Sequence, residues 1–292
     1  MSTPAPKSRK TRPAQKPQSN PPGIAALHTI RLLNRMVAQA RRTLVSPDPE
    51  AIHDLRVSIR RLMASLDLFD SGLGEHGGRK IRKRVKKLLN LAGAVRDCDV
   101  ASKYVEKVAT EPSTSAQLLA AIQAQRNAAI PYLLAGLQER LDSQSLTKWR
   151  AKLRTAPGNG EVEKAAREIL DGMFQEFMKR GLRAANPHAS GRQLHHFRLA
   201  AKSLHYALDL PVAPEKPAWL AGAKAVQKLV GEIHDCQAVG ALIKNLPGSA
   251  AVRKTLLYRQ RKKRSQFRDL WHRDLSPAPA APPEPTAVPL SR

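Results

Sequence analysis

Between residues 24 and 275 the apolar positions recur three and four apart, which gathers them on one face of an α-helix. The intervening positions are rich in Ala, Leu, Arg and Lys, all favourable helix formers. This periodicity predicts helices over 24–45, 49–70, 78–95, 98–110, 114–142, 161–184, 190–210, 216–232, 235–245 and 249–274. A shorter amphipathic piece at 145–154 is expected to bridge two halves. Breakers separate the segments: Pro47 and Pro49, the cluster Gly72–Gly78, Pro112, Pro157–Gly160, Pro187, Pro211–Pro217 and Pro247–Gly248. Pro131 lies inside a long helical pattern and is expected to kink it. No segment alternates as a half-buried strand does. The predicted fold class is all-α.

The pattern lapses at both ends. Residues 1–23 carry six prolines and five basic residues, and read as a disordered basic arm. Residues 276–292 form a Pro/Ala tail that reads as disordered. The structured part is therefore 24–275, with halves at 24–142 and 161–275 and a bridge at 143–160. No uninterrupted run of about 18 apolar residues is present, so no membrane span is expected. The N-terminal segment has no apolar core of the secretory kind, and two cysteines, Cys98 and Cys236, suit a reducing compartment. A cytoplasmic location is the expectation.

The two halves are copies of one unit. Ile52–Leu68 (IHDLRVSIRRLMASLDL) aligns without gaps on Leu194–Leu210 (LHHFRLAAKSLHYALDL), and Leu91–Val100 (LAGAVRDCDV) on Leu229–Ala238 (LVGEIHDCQA), in the same order. His53 thus corresponds to His195, Arg56 to Arg198, Arg60 to Lys202, Asp67 to Asp209, Gly93 to Gly231, Asp97 to Asp235 and Cys98 to Cys236. On a helix, His53, Arg56 and Arg60 form a stripe beside the apolar face of Ile52, Leu55, Ile59, Leu62 and Leu66. His195, Arg198 and Lys202 repeat it. Each half so places a histidine and two cations where core meets solvent, and packed as a pseudo-dimer the two stripes face each other across a groove. Asp97 and Asp235 are expected near helix starts, as caps or as partners that orient an Arg of the stripe. The cysteines read as paired core positions.

Charge narrows the function. Fifty Lys and Arg against 24 Asp and Glu leave a net charge of +26, a field that attracts polyanions. Aromatic residues make up only 4% of the chain, which counts against base stacking as the main binding mode. Seven cations fall within 79–87, among them Arg79, Arg82, Lys83, Lys86 and Lys87. In the second half only Lys224 and Lys228 remain at this place, so the basic surface should be asymmetric. The last helix adds eight more cations between Arg253 and Arg268.

These residues resemble the CHAD domain, the conserved histidine α-helical domain. The resemblance rests on H-x-x-R-V-x-x-R-R-L at His53–Leu62, L-x-G-x-x-R-D-x-D-V at Leu91–Val100, H-x-x-R-x-x-x-K-x-L at His195–Leu204, and the Leu229–Asp235 block LVGEIHD. It covers about 24–275, and it implies two helical bundles related by a pseudo-two-fold as one compact unit with a basic central cavity. It further implies non-enzymatic binding of inorganic polyphosphate, often at polyphosphate granules. The candidate binding set is His53, Arg56, Arg60, Arg61, Arg79, Arg82, Lys83, Lys86, Lys87, His195, Arg198, Lys202, Lys224 and Lys228. His53 and His195 are expected to donate to phosphate, above all when protonated below neutral pH. Ser203 and His205 stand where the family's second block is richer in Arg, so the second-half grip is expected to be weaker.

Two other classes stay open. One is a nucleic-acid-binding, nucleoid-associated helical protein using the same charge, with weaker nucleic-acid binding a further expectation under the first reading. The other is a metal-dependent phosphohydrolase, for which His53-Asp54 and His234-Asp235 are the only hints; the two dipeptides are not repeat equivalents. A site at His234 and Cys236 has few ligands. No catalytic residue, metal or cofactor is assigned.

Overall fold

The computed structural model describes residues 23–69, 77–154, 160–210 and 220–275. The basic arm, the Pro/Ala tail and most of the breakers at 72–78, 157–160 and 211–217 lie outside the described residues. Within them the chain forms nine helices and no strand: α1 (Ile24–Val45), α2 (Pro49–Leu68), α3 (Gly77–Val108), α4 (Pro112–Arg140), α5 (Ser143–Arg154), α6 (Gly160–Ala184), α7 (Gly191–Leu208), α8 (Leu220–Leu242) and α9 (Ser249–Asp274). The fold is all-α.

Local chemistry sets several helix ends. Asp48 Oδ1 accepts from the backbone N–H of Glu50 and Ala51 at 2.9 and 2.8 Å, with Pro49 in the first turn of α2. Ser190 and Gln193 form a reciprocal capping box at the start of α7. Gly248 precedes α9 at φ 73°, in the left-handed region that favours glycine. Pro131 lies within the assigned span of α4.

The expected breaks at Asp97 and Asp235 are absent. Segments 78–95 and 98–110 are joined in one helix, α3, and the described part of segment 216–232 runs on into segment 235–245 within α8, which ends at Leu242; residues 216–219 lie outside the described residues. The apolar stripe continues in phase through both aspartates: Val95, Cys98, Ala101 and Val105 are buried on α3, and Val230, Ile233, Cys236 and Val239 on α8. Neither aspartate caps a helix. Each half therefore holds four long helices rather than five, with α5 between the halves.

Neighbours repeat between the halves: α1, α2, α3 and α4 pack in succession, as do α6, α7, α8 and α9. Equivalent helices also meet across the junction, α2 against α7 and α3 against α8. The 32-residue α3, about 48 Å long, passes through two apolar clusters. Its first half joins the large core, which runs from α1 and α2 to the ring cluster of Phe177, Phe197, Phe267 and Trp271. Its second half, from Cys98 to Val108, joins a smaller core with α4, α8 and α9. Cys98 and Cys236 both lie in that smaller core as free thiols.

One buried ion pair ties the outer helices to α3. Arg126 Nε donates to Asp99 Oδ1 at 2.7 Å and its Nη2 to the Pro47 carbonyl at 2.7 Å, while the Asp99 side chain is 1% exposed. Because a buried charge deprived of its partner is costly, Asp99→Ala should lose about 3 kcal/mol of stability, read from the urea midpoint. A loss below about 1 kcal/mol would place the pair among weak surface contacts.

Candidate functional site

The junction of the halves holds a cleft with two adjoining chambers, of about 670 and 310 Å³. Arg56, Arg60, Asp97, Lys202 and Tyr206 line both. The larger chamber adds Asp67, Arg82 and Lys86 among polar groups and Met63, Leu89, Met173 and Leu199 among apolar ones. The smaller adds His53, Arg96, Arg198, His234 and Asp235. Seven Lys and Arg side chains thus face three carboxylates, an excess of four positive charges.

The helices explain why these groups converge. His53, Arg56 and Arg60 share one face of α2, and Arg198, Lys202 and Tyr206 one face of α7 at successive intervals of four. Since α2 packs against α7, the two stripes meet. From α3 and α8, Asp97 and Asp235 enter between them. The merging of the two predicted helices is what puts these carboxylates in the cleft.

Arg56 is the most constrained cation. Its Nη1 donates to the Leu89 carbonyl at 3.0 Å. A Cβ on Gly93 would lie 2.9 Å from that same Nη1, so the glycine provides the space in which the guanidinium lies. Gly231, its repeat equivalent, has nothing within 4 Å of a Cβ. Arg198 has a buried Nε with no hydrogen-bond partner.

Burial governs the protonation of the cleft. It lowers the Arg56 guanidinium to about 10, reinforced by the neighbouring Arg60. Burial, then Arg198 and Arg60, lowers the Lys202 ammonium to about 7, and Arg198 shifts downward mainly for the same reason. Burial raises the carboxyls of Asp97 and Asp235 against the pull of Arg56 and Arg198. None of these groups is sealed in the core: Asp97 is exposed, and Arg56, Arg198, Lys202 and Asp235 are half-buried. Every one of these shifts opposes charge.

The same desolvation acts on the histidines. Burial, aided by neighbouring arginines, lowers His53 and His195, so both are neutral at neutral pH. His53 lines the smaller chamber. His195 stands one turn before Arg198, with its ring 5.8 Å from that of His234, and His234 is brought down to about 4 by burial and then Arg198.

The other expected binding residues separate. Arg56, Arg60, Arg82, Lys86, Arg198 and Lys202 line the cleft with His53. Arg82 there pairs with Asp67. Arg61 reaches across the halves to Asp209 at 3.6 Å. Lys83 and Lys87 leave the cleft and line a separate groove with α5, because they lie about a third of a turn around α3 from Arg82 and Lys86. Arg79 is exposed at the start of α3 and lines neither chamber. Lys224 lies near His205, outside the cleft, and Lys228 is exposed on α8. Sequence reasoning missed Tyr206 and Arg96; the first continues the interval of four from Arg198 and Lys202, and the second occupies the repeat position of His234.

Among the described residues no three His, Cys, Asp or Glu side chains gather as a metal site, and Cys236 is buried in the smaller core. No helix among them is long and apolar enough to cross a membrane.

The glycine asymmetry yields a test. Gly93→Ala should displace the Arg56 guanidinium and weaken anion binding by roughly tenfold, the order of one charge-assisted hydrogen bond, in a salt-controlled titration. Gly231→Ala should leave binding unchanged and raise stability by about 0.5–1 kcal/mol through helix propensity. Equal effects of the two would show that Arg56 does not depend on this space.

The fold has solved counterparts. The structure is similar to the crystal structure of the CHAD domain from the plant Ricinus communis, with a TM-score of 0.66 and 22% identity over 91% of this chain and 97% of that one. It is also similar to PptA from Streptomyces chartreusis, with a TM-score of 0.58 and 16% identity over 87% of this chain and 100% of that one. No curated protein matches the chain significantly. The CHAD domain family model matches residues 29–244, through both repeated blocks of each half, and the chain belongs to the CHAD domain family.

Proposed function

We propose that this protein binds inorganic polyphosphate in the cleft between its halves and leaves the chain chemically unchanged. The observation that carries this reading is the cleft's excess of cations held under desolvation, with Arg56, Arg198 and Lys202 all shifted toward losing charge. A linear anion reverses that penalty: each phosphate supplies a charge and acceptor oxygens for guanidinium forks and for the Lys ammonium. The family membership supports the same ligand class. Tyr206 is the one Phe, Tyr or Trp among the residues lining the chambers, a poor platform for nucleic-acid bases. The proposal includes the family's implied setting at polyphosphate granules.

Charge reversal at the repeat-equivalent pair Arg56→Glu and Arg198→Glu should abolish polyphosphate binding in the cleft while circular dichroism stays helical. Wild-type affinity in that folded variant would refute the site. The pH profile gives an independent check. In the unfolded chain Lys202 keeps its proton to near 10.5, whereas burial in the cleft makes it lose it around 7. A bound polyanion favours the protonated form, so binding above about pH 7 takes up a proton. Affinity should therefore be level just below that pH and fall as the pH rises through and beyond it, by up to about tenfold per pH unit. Lys202→Gln should flatten this step, and an unchanged profile would assign the step to another group.

A further inference from the structure

The remaining face of α3 carries a second cationic groove, apart from the cleft. Three faces run along the first half of this helix, about a third of a turn apart. Ile81, Val85, Leu88 and Ala92 enter the core, and Arg82, Lys86 and Gly93 face the cleft. Lys80, Lys83, Arg84 and Lys87 form the third face and, with Lys148 and Lys152 of α5, line a groove of about 470 Å³. None of the residues lining this groove is acidic.

We infer that this groove is a second binding site for a short run of inorganic polyphosphate, independent of the cleft; the ligand class rests on the reading of the cleft. The repeat shows that the fold itself does not require the charge. At the equivalent positions of the second half, Lys80, Lys83, Arg84 and Lys87 are replaced by Ala218, Ala221, Gly222 and Ala225. Among the described residues, Ala221, Gly222 and Ala225 therefore sit on α8 with no cation at these positions, while the first half gathers four cations and sets two more opposite them. Like charges three and four apart on a helix repel, so the arrangement costs stability without an anion.

The groove is also built, not a bare charged face. Its far wall, α5, lies between the two repeated units and is fixed by the buried Leu146, Trp149 and Leu153, while Arg150 Nε donates to Asn34 Oδ1 of α1 at 3.0 Å. Arg84 is anchored: its Nη1 donates to Ser145 Oγ at 2.9 Å, and its guanidinium lies 6.0 Å from the centre of the Trp149 ring. Trp149 is 5% exposed, so it cannot act as a platform for a nucleic-acid base. What the groove offers is fixed positive charge for a ligand of phosphates alone. Lys86 of the cleft and Lys83 of the groove stand three residues apart on α3. One long chain can thus engage both sites, and linked occupancy raises the apparent affinity without any new contact.

The test uses the full chain and inorganic tripolyphosphate, titrated calorimetrically at physiological ionic strength. Four proteins are compared: wild type, the cleft variant Arg56→Glu/Arg198→Glu, the groove variant Lys80→Ala/Lys83→Ala/Lys87→Ala, and the variant that combines all five changes. The groove variant gives the first half the residues that the second already carries, so it should fold, and circular dichroism confirms this. The expected result is two tripolyphosphates per wild-type protein and one for the cleft and groove variants alike, with the cleft variant's remaining site weakened at least tenfold when the three Lys→Ala changes are added. A cleft variant that binds nothing overturns the inference and leaves the cleft reading intact. A cleft variant that keeps all wild-type binding, lost instead in the groove variant, supports the groove and refutes the cleft.

Discussion

The structure depends on holding like charges together in a partly dehydrated space at the junction of two repeated halves. Arg56, Arg198 and Lys202 lie close enough to one another and to Arg60 that their affinity for protons falls, and the carboxylates of Asp97 and Asp235 compensate only in part. Such a cluster spreads apart unless the framework is stiffer than the repulsion. Stiffness comes from α3 and α8, which cross the junction as unbroken helices and bury one stripe in each of two cores. Arg56 is then confined by the Leu89 carbonyl and the bare backbone at Gly93. The cleft thereby keeps its cations converged, and the cost of desolvation is met by packing elsewhere.

Duplication explains the convergence, and divergence explains the asymmetry. A single unit presents a His–Arg–Arg or His–Arg–Lys stripe at the edge of its core; two units meeting through α2 and α7 turn two edges into one cleft. Afterwards the halves differ. The first keeps Gly93 tight against Arg56, carries a buried Asp99–Arg126 pair and has a cationic third face on α3. The second fills its core with Phe177, Phe197, Phe267 and Trp271, packed at ring distances of 5.2 to 6.3 Å. Gly231 is free of any such contact, and Gln237 stands where the first half has Asp99.

Much of this was legible in the sequence because it is periodic. The ends of α1 and α9 follow directly from the apolar repeat, and the cleft cations on α2 and α7 follow from alignment of the two copies. What escaped is what periodicity does not encode. Asp97 and Asp235 look like caps, since short acidic residues favour helix starts, yet the apolar stripe running through them keeps the helix going and leaves them facing the cations. Lys83 and Lys87 look like part of the cleft because they lie beside Arg82 and Lys86 in sequence, but a third of a turn sends them to α5. Tyr206 carried no charge to draw notice, although its interval from Lys202 places it on the same stripe.

The central claim is that the cleft recognises a bare chain of phosphates and is not merely basic. It is tested most directly by titrating the protein with long-chain inorganic polyphosphate over a salt series, beside duplex DNA of equal phosphate content. The account predicts tight polyphosphate binding that weakens steeply with salt as counterions are released, much weaker DNA binding, and no phosphate released. DNA binding equal to or tighter than polyphosphate binding would contradict it, because the charge would then act as a generic field and not as a site.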